Sequence, residues 1–150
     1  MQFVGLHDVS HSLSVGQHRD VSMNVFGIGI DVVEVGRIAS SLDEFGERFA
    51  NRIFTLRERE YCLAKARPEL HFAARFAAKE AVAKALGTGI GKDVSWLDLE
   101  VVRGENGEPI LELGGKAKDF CESHQIGEIK ISLTHARDYA AANAIVLRRS

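Results

Sequence analysis

Little in this sequence would staple the chain covalently or anchor it in a bilayer. Its two cysteines, Cys62 and Cys121, are far apart and form no CxxC pair. That pattern suits a reducing compartment without a structural disulfide, and so a cytoplasmic location. No apolar run approaches the ~18 residues of a membrane span. Positive charge is not in excess either: the formal net charge is -2 over 150 residues. A general nucleic-acid binder is thereby excluded, because neutralising phosphates needs a basic surplus; room remains for a local basic site. Walker A and G-x-G-x-x-G patterns are missing, as is any recognisable Ser-His-Asp or Cys-His order, so no nucleophile is assigned. There is no internal repeat and no low-complexity segment.

What is present fits one soluble globular domain: 150 residues, 45% hydrophobic and 27% charged, enough to bury a sizeable core. Residues 1–23, "MQFVGLHDVSHSLSVGQHRDVSM", stand apart as a polar leader with no role in catalysis. They lack the basic-then-apolar order of a signal peptide. His7 and His11 have a metal-sharing spacing for a helix, but no helical pattern accompanies them. Residues 24–150 are expected to form the working domain.

Within that domain "FGIGIDVV" alternates, with Phe26, Ile28 and Ile30 on one face and Gly27, Gly29 and Asp31 on the other, and reads as a strand. Helical spacing follows from Val32 to about Phe49, with Val35, Ile38, Leu42, Phe45 and Phe49 as its apolar stripe. A second helix starts near Thr55, with Glu58 placed for a capping box. A third runs from about His71 to Leu86, with Gly87 just past its end. "WLDLEVV", "PILEL", "EIKISLT" and "YAAANAIVL" read as strands, and "GKAKDFCESHQIG" as a short helix. Without a strict βαβ alternation, the fold class expected is α+β.

The third helix poses a question. Glu80 and Lys84 share a side of it with Ala73 and Ala77, residues that suit close packing. Glu80 to Lys84 is also the favoured i,i+4 order for a surface ion pair, worth ~0.2–0.5 kcal/mol, and spacing alone does not separate that from a functional pair. Asp31 is equally double: "DVVE" reads as a capping box with Asp31 as N-cap and Glu34 at N3, while the glycines on its face leave room for something to approach the backbone. "GTGIG" brings Gly87, Thr88 and Gly89, with the backbone freedom and N–H groups of a weak phosphate cradle. "SLTHARDY" puts His135 at a strand end, where it caps a turn or donates to a phosphate.

Taken together, "GIGIDVVEVGRI", "FAARFAAKEAVAKALGTGIG" and "ISLTHARDYAAANAIV", in this order and spacing, resemble the holo-acyl-carrier-protein synthase family, the small homotrimeric branch of the 4′-phosphopantetheinyl transferases. The resemblance covers about Asn24 to the C-terminus. It implies a trimer-forming α+β fold with an antiparallel sheet packed against helices. It implies Mg²⁺-dependent transfer of 4′-phosphopantetheine from coenzyme A to a serine of an apo acyl carrier protein, with release of adenosine 3′,5′-bisphosphate. Carried over position by position, Asp31 and Glu80 would be the metal carboxylates and, with Lys84, the catalytic set. His135 and Arg75, with Gly87, Thr88 and Gly89, would bind coenzyme A. Arg37 and Arg48 would dock the carrier. The serine's proton would pass to a metal-bound water or to Glu80.

One departure is visible. The docking helix should meet an acidic carrier, yet Asp43, Glu44 and Glu47 accompany Arg37, Arg48 and Arg52. Two other readings use the same residues: a catalytically silent trimeric module binding coenzyme A or a nucleotide, and a Mg²⁺-dependent pyrophosphate hydrolase.

Overall fold

The computed structural model describes residues 24–150; the expectation for the leader lies outside them. Strand β1 (Val25–Glu34) is followed by four helices, α1 (Val35–Phe45), α2 (Glu47–Ile53), α3 (Leu56–Leu63) and α4 (Pro68–Leu86). A single 3₁₀ turn (Trp96–Asp98) leads into β2 (Leu99–Arg103) and β3 (Pro109–Leu113); α5 (Gly115–Ser123), β4 (Ile126–His135) and β5 (Tyr139–Arg148) complete the chain. The main sheet has the order β1-β5-β4, and β2-β3 forms a separate hairpin, all pairs antiparallel. The expectation of an α+β fold holds.

Helix α4 is the centre of the domain. Ala73, Ala77, Ala78, Ala81 and Ala83 are fully buried on it, and the main sheet lies against one of its sides. Two glycines set that distance. A Cβ at Gly27 would collide with the carbonyl oxygen of Ala85, and one at Gly29 with that of Ala81. The backbone of β1 therefore rests directly on the alanine face of α4. The small residues of β5 serve the same contact: Ala140, Ala142, Ala144 and Val146 are buried toward α4, so the alanine-rich strand fills core within the subunit as well as permitting close approach.

The other face of the sheet is uncovered among the described residues. Ile28 is 72% exposed and Ile30 66%, with Val32 and Ile145 beside them. The alternation read from the sequence is right in phase, but the glycine face turns inward and the isoleucine face outward.

Several boundaries differ from expectation, each for a local reason. The first helix does not reach Phe49: Gly46 adopts φ +52° and its N–H closes α1 on the carbonyl of Leu42. A left-handed residue ends a helix, and glycine takes it without steric cost. Phe45, expected in the buried stripe, is exposed at this break. Helix α4 starts at Pro68 rather than His71, because proline is well suited to the first helical turn. Trp96–Asp98 coils into a 3₁₀ turn before β2 instead of extending. The Thr55–Glu58 capping box at the start of α3 is present as expected.

Candidate active site

Asp31 is not a helix cap. It lies inside β1, pairs across to Ala142, and is on the strand face turned toward α4; the N-cap of α1 is Glu34, which makes no side-chain cap bond. The seam formed by Gly27 and Gly29 brings Asp31 to the side of α4 that carries Glu80 and Lys84. Lys84 then has a partner that helix spacing does not offer: its Nζ donates to Asp31 Oδ1 at 2.9 Å and to the carbonyl of Ile30 at 3.1 Å. A surface ion pair between Glu80 and Lys84 is not formed.

Glu80 is left without an ion pair among the described residues. Its carboxyl titrates above the ordinary glutamate range, chiefly because burial penalises the charge, and further because Asp31 repels it, with Lys84 opposing. Asp31 and Glu80 line one cavity of about 350 Å³, whose other walls include Arg37, Ile38, Phe49 and Phe76. Among the described residues no group of three or more His, Cys, Asp and Glu converges. A pair of carboxylates that repel one another, short of a full ligand set, suits a hard divalent cation that keeps waters and takes further oxygens from a phosphate substrate. It does not suit zinc, which wants four N, S or O ligands from the protein or nearly so.

A second cavity of about 230 Å³ lies on the same helix toward its N-terminus and contains His135, at the end of β4, together with His71 and Arg75 of α4 and Arg103 of β2. Arg75 is 5% exposed. Its guanidinium stacks on the Tyr61 ring at 4.0 Å, and its buried Nε has no hydrogen-bond partner among the described residues. A buried guanidinium donor without an acceptor is costly unless a ligand supplies one. The His71 and His135 rings meet edge to face with centroids 5.5 Å apart, and His71 is held below the usual histidine range, mainly by burial and then by the charge of His135. His71 was not singled out in the sequence; its position four before Arg75 on one helix was the available signal.

Other expected site residues fare differently. The N–H groups of Gly87, Thr88 and Gly89 turn back to the carbonyls of Lys84 and Ala83. They end the helix, so the free donors of a phosphate cradle are not there. Gly87 and Gly89 have φ of +77° and +62°, the backbone freedom this reversal needs. Arg37 borders the carboxylate cavity, whereas Arg48 is exposed on α2 and lines neither cavity. The break at Gly46 puts the two on separate helices, α1 and α2, and not on one docking helix as expected.

One further pair joins residues that are distant in sequence. Glu58 and Lys79 form an ion pair of 2.7 Å with both side chains 0% exposed. Lys79 immediately precedes Glu80 in α4, but points about 100° away around the helix, into the core.

The chain matches the model of the 4′-phosphopantetheinyl transferase superfamily over residues 27–144. It is 45% identical over 120 residues to the holo-acyl-carrier-protein synthase of Ruminiclostridium cellulolyticum, covering 79% of this chain and 90% of that one. It is 44% identical over 119 residues to that of Protochlamydia amoebophila, covering 79% and 95%. Among solved structures, the Neisseria meningitidis synthase superposes with a TM-score of 0.77 at 34% identity, over 83% of this chain and 99% of that one. The Helicobacter pylori synthase in complex with coenzyme A gives 0.72 at 32%, over 79% and 98%. Fold, extent of match and identity agree, and the chain belongs to the 4′-phosphopantetheinyl transferase superfamily, in its holo-acyl-carrier-protein synthase branch.

Proposed function

We propose that this chain transfers 4′-phosphopantetheine from coenzyme A to a serine of an apo acyl carrier protein and releases adenosine 3′,5′-bisphosphate. The carrying observation is the pair of unlike cavities on α4. Asp31 and Glu80 hold one and Arg75 with His135 holds the other. Glu80 and Arg75 are five positions apart, about 7.5 Å along the helix axis and about 140° around it. A substrate with a pyrophosphate and a separate phosphate on its nucleoside presents charge at two such places. Arg75, His71 and His135 are the residues we assign to the nucleoside phosphate, where the unpartnered Nε of Arg75 finds an acceptor. The same branch includes proteins solved with coenzyme A.

Asp31 and Glu80 would hold Mg²⁺. Bound there, the ion would neutralise charge on the pyrophosphate and on the leaving bisphosphate. Lys84 uses two of its three N–H donors on Asp31 and Ile30. The third remains for a phosphate oxygen. We assign the serine proton to Glu80, the carboxylate of this cavity that Lys84 leaves without an ion pair among the described residues. The cavity between Arg37, Phe49 and Phe76 opens on this pair and would receive the carrier segment around the serine, with Arg37 at its rim meeting carrier acid groups.

The bare isoleucine face of the sheet is the surface we assign to a homotrimer, since an exposed apolar patch of this kind marks an interface. Catalysis is assigned to residues 24–150 and to the cytoplasm, where the two unbridged cysteines are at ease. Mass spectrometry of apo acyl carrier protein incubated with coenzyme A, Mg²⁺ and the chain tests the reaction. A phosphopantetheine adduct on the carrier is expected. Hydrolysed coenzyme A with an unmodified carrier would make the protein a pyrophosphate hydrolase; coenzyme A bound but intact would make it a silent binding module.

A further inference from the structure

The buried ion pair has the geometry of a device, and what it touches suggests for what. Lys79 Nζ is fully used. It meets Glu58 Oε2 at 2.7 Å and donates to the carbonyls of Ile53 at 2.7 Å and Trp96 at 3.0 Å. Glu58 is equally occupied. Its Oε2 accepts from the Thr55 N–H at 2.9 Å and its Oε1 from the Val101 N–H at 2.8 Å. Four segments are thus tied to one turn of α4: the end of α2, the start of α3, the 3₁₀ turn and β2.

Two of those attachments lead to the carrier cavity. Ile53 is the last residue of α2, the helix that carries Phe49 into the cavity wall. Trp96 stacks on Phe76, with centroids 4.9 Å apart and planes 28° from parallel, and Phe76 is the facing wall. Lys79 therefore holds the main chain of the helix that carries Phe49 and that of Trp96, the ring packed on Phe76, while the next residue, Glu80, lies in the cavity itself. Apolar packing alone tolerates small slides of one element on another. A charge-assisted hydrogen bond to a particular carbonyl does not, because its strength falls steeply with distance and angle.

We propose that the Glu58–Lys79 pair is a positioning clamp for carrier recognition: it fixes Phe49, and the Trp96 ring that backs Phe76, relative to Glu80 so that the carrier's serine segment is received in register, while coenzyme A binding does not depend on it. Lys79 and Glu58 are positioning residues and touch no substrate. The proposal rests on the transferase reading given above.

The test separates the two substrates. Steady-state transfer is measured well below the unfolding temperature, titrating apo carrier and coenzyme A in turn. Lys79→Met should raise the KM for carrier by about tenfold or more, the scale of a displaced but intact site. The KM for coenzyme A should stay within about twofold. The double variant Glu58→Gln/Lys79→Met removes the stranded charge and should recover much of the thermal stability, yet it still lacks the donor to Ile53 and Trp96, so its carrier KM should stay high. Trp96→Ala, which leaves the ion pair intact, should raise the carrier KM in the same direction by about threefold, and it covers the case in which Lys79→Met does not fold. Recovery of the carrier KM together with stability in the double variant would reduce the pair to a stabiliser and overturn the clamp. An unchanged carrier KM in Trp96→Ala, or equal rises for both substrates, would overturn it too. These outcomes differ from failure of the transferase reading, in which the wild-type chain does not modify the carrier at all.

Discussion

Helix α4 carries two lysines, each paired with a carboxylate from another element, and the two pairs could hardly differ more. Lys79 and Glu58 are sealed, with neither side chain exposed and every donor of the ammonium matched. Lys84 and Asp31 are open, 51% and 16% exposed, with one ammonium donor unused and an unpaired Glu80 beside them. The sealed pair is complete without a ligand. The open pair is a half-finished set of charges that a cation and a phosphate would complete. Identical residue types five positions apart are thus given to architecture and to chemistry by burial and satisfaction alone.

The sharpest way to break this comparison is at the open end. Glu80→Gln and Asp31→Asn should each lower turnover by about 100-fold or more, while leaving stability within about ±0.5 kcal/mol in urea melts. Full carrier modification by both variants would show that the open set is as structural as the sealed one. Part of the lost turnover should return at high Mg²⁺.

The lysines come next. Removing one partner of a buried pair strands the other, so Lys79→Met should cost about 3–5 kcal/mol. Lys84→Ala should cost about 1 kcal/mol at most, since its pair is largely solvated, yet reduce turnover by about tenfold or more. Chemical denaturation and initial rates on both variants read the two effects side by side. Equal stability losses would erase the distinction.

A smaller effect is expected from pH. The folded-state value of Glu80 lies above the ordinary one, so the native protein binds this proton more tightly than the unfolded chain does. Ionising Glu80 therefore costs stability, a cost absent below the unfolded value and complete once pH passes the folded value. Glu80→Gln should be at least as stable as wild type at pH 7 and lose that advantage below about pH 4. Paired melts at the two pH values check it, and a variant clearly less stable than wild type at pH 7 would contradict the assignment.

The smallest signal is a silence. Cys62 lies in the sealed region, is 0% exposed and has its thiol pushed up to about 12, chiefly by burial. Iodoacetamide at pH 8 should not label it in the native protein, and Lys79→Met should speed its labelling by opening that region. Labelling of wild type as fast as in urea would show that the region is not sealed.

Local rules carried much of this fold and stopped where contacts become distant. The phase of β1, the body of α4 from His71 to Leu86, the Thr55–Glu58 cap and the glycine past Leu86 all depend on neighbours in sequence, and all were readable. The second task of Glu58 was not, because Lys79 and Val101 reach it from elements far along the chain. The i,i+4 rule offered Lys84 the wrong carboxylate for the same reason: Asp31 arrives through the glycine seam, which spacing on one helix cannot show. At Gly46 the apolar stripe continued past the residue and concealed the break. At Gly87 to Gly89 the glycines were seen, but the helix end claimed the donors first. Asp31 and Glu80 stood out only in combination with their motifs, since each alone had an ordinary explanation.

Strand β1 hydrogen-bonds in the sheet only to β5, among the described residues, and Asp31 faces Ala142 across that ladder. Asp31, early in the described chain, is therefore held in place by a strand more than 100 positions later. Until β5 has emerged, β1 has no ladder partner among the described residues, and only its contact with α4 places Asp31. Pairing across nearly the whole length of the domain is also slow relative to local structure. A nascent chain that still lacks β5 should thus carry Asp31, Glu80 and Lys84 and yet be inert, so that activity waits on Tyr139–Arg148.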